Sequence, residues 1–438
     1  MDECEVIRSR KKITTIRITD SEIAEVKQIN DESFGVRIID KNRIVSCTTN
    51  KTDEVEKTLE GLQRAAKNIK PHKFWMGLSH ELKHKTSLDN TFDAKLDSIS
   101  EKEAMDISQE MINSADHDKV SSISGSLNIV SENFQISNSN GLYGNDEATY
   151  IAGVINSDSE EGIEPVSGIG QFSCRTLSEF KPGYIGNRAA EMCVESINPT
   201  KCETSNYTII LEPYSVGELL TFVFAPNFSL KTYSEKKSCF SESLGKEMAV
   251  KELDVYDDPT VKEGLGTKPF DEEGINTKKL SIIKEGKFMN TYSNLYDSYE
   301  QEASTTGNAV RSGSPMGRSA EGIPISAPHN LRIKKGDYSL EEMIKETKKG
   351  LLVGRLWYTY AVNPIKGDFS CTARSGIRLI ENGKIKSPAK QVRIVHNLRT
   401  FLKNISSIEN VEKNVIQWAS APSTTPSIKV ENVSVKSF

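Results

Sequence analysis

The chain has 438 residues, 36% hydrophobic and 27% charged, an ordinary balance for a globular protein and a length that predicts two domains. Its 56 Lys and Arg against 61 Asp and Glu give a formal net charge of −5, which offers no general attraction to nucleic acid or anionic lipid. No apolar segment follows the early Arg8, Arg10, Lys11 and Lys12, no apolar run is long enough for a bilayer, and the cysteines at 4, 47, 174, 193, 202, 239 and 371 lack paired short spacing. The expectation is a cytoplasmic protein with free thiols, no membrane association and no direct nucleic-acid partner.

In chain order, β-branched residues predict strands over Ile13 to Ile18 and Ile23 to Ile29, broken at Thr19-Asp20-Ser21. A further strand, Gly35 to Ile39, pairs with Arg43 to Ser46 through the turn Asp40-Lys41-Asn42. Asp53, with Glu56 three residues on, caps a helix whose apolar face is Val55, Leu59, Leu62, Ala66 and Ile69, ended by Pro71. Residues 71–98 hold no sustained period and read as a connector. Ser100 and Glu103 form a capping-box signature ahead of Ala104, Ile107 and Met111. Val120 to Thr176 is strand-like, with turns at Asn138 to Gly141 and Asp158 to Gly162, and a helix follows over Ile185 to Ser196. Beyond a strand at Tyr207 to Leu211, a buried helix is predicted from Val216 to Phe224, ended by Pro226. Strands are predicted at Lys279 to Ile283 and Gly376 to Ile380, and a helix from Ser339 to Lys349 with Gly350 as its stop. The fold class is therefore α+β: an N-terminal α/β domain over residues 1–200, then a domain over 201–438 rich in antiparallel strands.

One string suggests a reaction centre. On a helix, the histidines of His80-Glu81-Leu82-Lys83-His84 share a face and can hold zinc, with Glu81 as general base. Such a helix needs burial, and the flanking His72, Lys73, Lys83 and Lys85 leave no persistent apolar stripe. The bland reading is an exposed connector that matches the pattern by accident. His117, His329 and His396 pair with no other ligand at useful spacing. Neither a nucleophile elbow nor a phosphate loop is present.

The second half carries Val255-Tyr256-Asp257-Asp258-Pro259, Phe270-Asp271-Glu272-Glu273-Gly274 and Thr306-Gly307-Asn308-Ala309. It goes on to Gly367-Asp368-Phe369-Ser370 and Ile380-Glu381-Asn382-Gly383-Lys384-Ile385, with Gly35-Val36-Arg37 and Phe74 to Leu78 upstream. Their order resembles the TldD/PmbA family, the modulators of DNA gyrase, over nearly the whole chain. The resemblance implies a zinc peptidase branch, TldD, and a partner branch, PmbA or TldE, that together act on unfolded peptides.

In the TldD-like site a His-Glu-x-x-x-His helix follows a strand, and a cysteine lies near the C-terminus. The matching stretch here is Pro213-Tyr214-Ser215-Val216-Gly217-Glu218. Pro213 and Glu218 fall on the histidine positions and Tyr214 on the general base, while no cysteine follows Cys371. The resemblance thus implies a PmbA/TldE-like chain that binds no metal itself, with zinc in a TldD-like catalytic partner. It also allows a homodimer. The competing readings are an active zinc peptidase using His80, Glu81 and His84, or a regulatory binding protein linked to a topoisomerase.

Overall fold

Asp20 and Ser21 both sit at positive φ, as do Lys41 and Asn42, and these two tight turns fold the first fifty residues into a three-stranded meander. The computed structural model describes all residues except 52–53, 81, 83–87, 89–90, 312–316 and 417–421. Its first strands are β1 (Glu3–Thr19), β2 (Glu22–Asp40) and β3 (Arg43–Thr49). The two strands expected at 23–29 and 35–39 are one strand. Its polar middle stays paired because Glu32 of β2 reaches Arg8 and Arg10 of β1 at 2.5 and 2.8 Å.

With β4 (Ser122–Asn138), β5 (Tyr143–Ser159) and β6 (Val166–Cys174), these strands form an antiparallel sheet in the order β3-β2-β1-β4-β5-β6. Helix α1 (Val55–Ala66) lays Leu62 and Ala66 on Val36 and Ile38. It stops before Pro71 and leaves Ile69 exposed, so the apolar face is one turn shorter than expected. Asp53 lies outside the described residues, and Glu54 holds the N-cap position without a side-chain capping bond, its carboxylate pairing instead with Lys51 at 3.0 Å. Following α2 (Ala94–Asp97), α3 (Glu101–Ala115) begins with the full Ser100–Glu103 capping box. Helix α4 starts at Pro182, earlier than expected, because proline suits a first helical turn (Pro182–Val194). Ala104, Met111, Ile185 and Ala189 from α3 and α4 cover Ile16, Leu127, Ile129 and Ile151 on one face of the sheet.

The second half opens with β7 (Ser205–Leu211) and α5 (Pro213–Leu219). Short strands follow: β8 (Val255–Asp257), β9 (Leu280–Lys284), β10 (Lys287–Phe288), β11 (Ala309–Val310), β12 (Ile325–Ser326) and β13 (Leu331–Ile333). Longer ones complete the chain: β14 (Lys349–Asn363), β15 (Asp368–Glu381), β16 (Lys384–Pro388), β17 (Val392–Asn397), β18 (Ile405–Val415) and β19 (Ser423–Ser437). Because β19 pairs with both β17 and β7, strands β7, β14, β15, β17 and β19 make a closed circuit. Alternate residues of that circuit, including Ile209, Val353, Cys371, Ile394 and Val430, share one core with Val216 and Leu219 of α5 and with Leu220 just beyond it.

The helix expected from Ser339 to Lys349 is only Leu340–Lys345, although its Ser339–Glu342 capping box is present. Gly350 lies inside β14, opposite Thr208 of β7. The turn at Asn382-Gly383 donates to the carbonyls of Lys348 and Thr347, at 2.8 and 2.9 Å, and pulls these residues out of the helix.

A buried charged joint holds the two halves together. Glu5 and Arg37, opposite each other on β1 and β2, meet Glu273 and Arg311 of the second half. Arg37 Nη2 lies 2.8 Å from Glu5 and its Nη1 lies 3.0 Å from Glu273, all three side chains being 2% exposed or less. Arg311 pairs with the other oxygen of Glu5. Close approach is enforced at Gly35, where a Cβ would stand 1.9 Å from the Ala320 carbonyl oxygen. Removing one member strands the others in a water-poor site. Glu273→Ala is expected to lower unfolding free energy by roughly 3–5 kcal/mol, read as a lower urea midpoint, whereas Glu32→Ala on the open ladder moves it little.

Candidate functional site

The helix that the family resemblance singles out lies directly behind β7. Glu212 caps it in extended backbone and Pro213 takes the first helical position, where its missing N–H costs nothing. After Leu219 the backbone widens into a π turn, Leu220–Phe224, a local distortion often found at functional sites. Gly217 lets the helix press on β18, since a Cβ there would come within 2.9 Å of Val415.

Glu218 points into the closed circuit and is 3% exposed. Its Oε1 accepts a hydrogen bond from Thr359 Oγ1 at 2.8 Å, while Oε2 has no hydrogen-bond partner among the described residues. Burial pushes its carboxyl up to about 7, against the pull of the Thr359 bond and the Arg355 charge. Tyr214 is half-buried, and desolvation pushes its phenol up to about 12. Burial likewise raises the Cys371 thiol, with the neighbouring Glu218 adding to the shift. Arg355 donates to Asn156 of β5 at 2.7 Å and lies 4.5 Å over the Trp357 ring.

This arrangement suits a proton far better than a metal. Zinc needs deprotonated donors converging on one point. Pro213 brings no donor atom, Tyr214 keeps its proton, and Glu218 is half protonated near neutral pH. The α5 residues therefore do not fit a zinc ion, and no group of three or more His, Cys, Asp or Glu side chains that could hold one occurs among the described residues.

The other candidate string fares differently. His80 is exposed and lies in backbone that is not helical, as does Leu82, while Glu81 and His84 lie outside the described residues. The buried His329 donates or accepts through Nε2 with the Gly307 carbonyl at 2.9 Å, and burial holds its pKa well below the ordinary histidine value.

The strings that carried the resemblance turn out to be framework. Asp257 accepts from the backbone N–H groups of His329 and Asn330, at 3.0 and 2.6 Å, and from Asn308 Nδ2 at 2.6 Å. Asp271 accepts from the N–H groups of Glu273, Ile275 and Ala309 at 2.9 to 3.0 Å. Glu273 belongs to the joint described above. Gly367 makes the β14–β15 turn at φ +87°, Asp368 accepts from Asn397, Phe369 enters the core, and Ser370 donates to Ile394. Glu381, Asn382 and Gly383 form the next hairpin turn.

Sequence reasoning found Tyr214 and Glu218 but missed Thr359, Arg355 and Trp357. Thr359 reaches Glu218 only because β14 carries a bulge: Trp357 pairs with Thr372 but Tyr360 with Ser370, and Tyr358 between them sits at φ +49°. A Trp-Tyr-Thr-Tyr run carries no sign of that extra residue.

Three family models fit the chain: PmbA/TldA metallopeptidase domain 1 over residues 4–70, the central domain over 94–197 and the C-terminal domain over 204–437. The chain belongs to the PmbA/TldD family. The metalloprotease PmbA of Escherichia coli O157:H7 is 28% identical over 237 residues, 54% of this chain and 48% of that protein. The PmbA homolog of Buchnera aphidicola is 28% identical over 232 residues, 53% of this chain and 47% of its own. The matched segment thus spans about half the length of these relatives. A Methanocaldococcus jannaschii metalloprotease is 24% identical over 420 residues, 90% of this chain and 86% of its own. TldE from Thermococcus kodakarensis has the same fold, with a TM-score of 0.90 at 22% identity over all of this chain and 97% of its own.

The raised carboxyl makes stability depend on pH. The unfolded chain ionises Glu218 near its ordinary value of 4.5, while the folded chain keeps the proton until about 7. Folding therefore holds more protons in that window, and the contribution of Glu218 to stability falls as pH rises through it. Against Glu218→Gln, which keeps the neutral shape, the wild type is expected to lose on the order of 3 kcal/mol between pH 4.5 and pH 8, measured as diverging melting temperatures.

Proposed function

We propose that the chain is a non-catalytic, PmbA/TldE-like subunit of a TldD/TldE-type metalloprotease complex that acts on unfolded peptides in the cytoplasm. Zinc belongs to a TldD-like catalytic partner in this reading. The observation that carries it is the chemistry of α5: its first turn begins at Pro213, which has no donor atom, and its Glu218 carboxyl is desolvated and already bonded to Thr359. Family membership supports the peptidase setting, and the PmbA metalloprotease names of the relatives point the same way. No helix among the described residues is long and apolar enough to cross a membrane. What the chain keeps is a rigid closed circuit around α5 and an N-terminal sheet locked against it. Both suit a subunit that shapes an enclosure and leaves the bond-breaking step to its partner.

The decisive measurement is metal content and cleavage by the purified chain, alone and with the TldD-type protein of the same organism. Alone, the chain is expected to hold far less than one equivalent of zinc by elemental analysis and to leave an unfolded casein substrate intact, with His80→Ala changing neither. Mixed with the partner, cleavage appears. One equivalent of zinc and cleavage by the chain alone, both lost in His80→Ala, would sink the proposal.

A further inference from the structure

The exposed face at the outer end of the closed circuit carries an aromatic and cationic ladder. Cross-strand register places Trp357, Thr372 and Arg393 in one row, and Tyr360, Ser370 and Val395 in the next. The Arg374 guanidinium lies 4.2 Å over the Trp357 ring. Arg393 lies 5.4 Å over the Tyr360 ring and donates to its hydroxyl at 2.9 Å. Around these stand Tyr358, Tyr360, Val362 and Ile365, exposed by 68, 49, 57 and 62%. Tyr358 is held in the left-handed region by the bulge that turns Thr359 inward, a strained placement for a bulky side chain that leaves its ring on the surface. Among the described residues β14 has a strand on its β7 side only at Gly350 to Val353, so its outer half ends in an open edge.

Tyr, Trp and Arg are the residues that dominate the binding energy of protein interfaces, and contiguous exposed apolar side chains mark such surfaces. Charge selects the occupant. Residues 357–374 and 392–397 hold Lys366, Arg374 and Arg393 but a single carboxylate, Asp368, which is engaged by Asn397; Asp158 of β5 acts on Arg374, and the face stays net cationic in a chain of net charge −5. A second copy of this chain would meet the ladder isologously and set these cations against themselves. An acidic surface on a different subunit meets them with opposite charge. We infer that the face formed by Trp357, Tyr360, Val362, Arg374 and Arg393 is the docking surface for a separate folded subunit with an acidic, partly apolar contact surface. The inference rests on the partner-subunit reading above and names where that partner sits. The strand under this face also bears Thr359, which bonds inward to Glu218, so docking here sets the partner across β14 from Glu218.

The test uses the full chain and the zinc-type family member of its own organism, followed by sedimentation velocity and by a salt series. Val362→Asp and the double variant Arg374→Glu, Arg393→Glu are compared with Lys27→Glu on exposed β2, with circular dichroism melts to verify folding. Wild type and Lys27→Glu are expected to form a mixed complex that weakens with salt, and both face variants to weaken it at least tenfold. Mixed complexes of unchanged affinity in folded face variants would overturn the docking surface while leaving the subunit reading intact. No mixed complex with wild type would overturn the subunit reading itself. Loss of a homodimer in the face variants would overturn the choice of occupant, as would loss of binding to an unfolded casein peptide with the mixed complex retained.

Discussion

A guanidinium removed from water is tolerated only when its charge is matched where it lies. Arg37 meets that demand by standing between Glu5, its neighbour across β1 and β2, and Glu273, which comes from the other half of the chain. Neither half can satisfy the joint alone. The N-terminal sheet offers one carboxylate to two arginines, and the second half offers Glu273 and Arg311 to complete the set. Buried charge of this kind contributes less to net stability than its short distances suggest, because desolvation offsets most of the attraction. Its force is in specification, since a displaced docking would break the Arg37–Glu273 and Glu5–Arg311 pairs and strand Glu273 and Arg311.

That constraint explains why short strings far apart in the chain behave as one unit. The Asp271-Glu272-Glu273-Gly274 turn must present Glu273 to Arg37, so Asp271 fixes the turn by gathering three backbone N–H groups. Gly274 takes φ +74° to let the turn close over Leu142 of the N-terminal half. Asn308 in turn bonds Asp257, and Asp257 holds the backbone at His329 and Asn330, tying β8 to β13. Of the residues that made the chain recognisable, Arg37, Glu273 and the turn around it align the two halves and the others brace the second half, while the chemistry of the candidate site sits elsewhere.

The difference between what was legible and what was not follows the range of the physics. Local rules read well: the Ser100–Glu103 capping box, the breaks at Asp20-Ser21 and Lys41-Asn42 and the strand from Tyr207 to Leu211 all follow from neighbours within a few residues. Predictions failed where distant partners decided the outcome. Glu32 kept β2 continuous through a polar stretch, and the pairing of Gly350 with β7 cut short a helix that had a proper cap. At the candidate site, helix position and the identities of Tyr214 and Glu218 were readable from one motif. The partner Thr359 was hidden, because its reach depends on a bulge with no local signature.

The bulge also links the interior of the circuit to its surface. One extra residue in β14 turns Thr359 inward to Glu218 while Trp357 and Tyr360 stay on the outer face and Tyr358 is forced into the left-handed region. A carboxyl held near 7 by burial is sensitive to the single hydrogen bond and the guanidinium that oppose that burial. Both come from β14: Thr359 from the bulge, and Arg355 from two residues before Trp357, whose ring it overlies. The exposed ladder and the partners of the buried carboxyl thus lie on one strand, β14, facing an α5 that the core of the closed circuit holds in place.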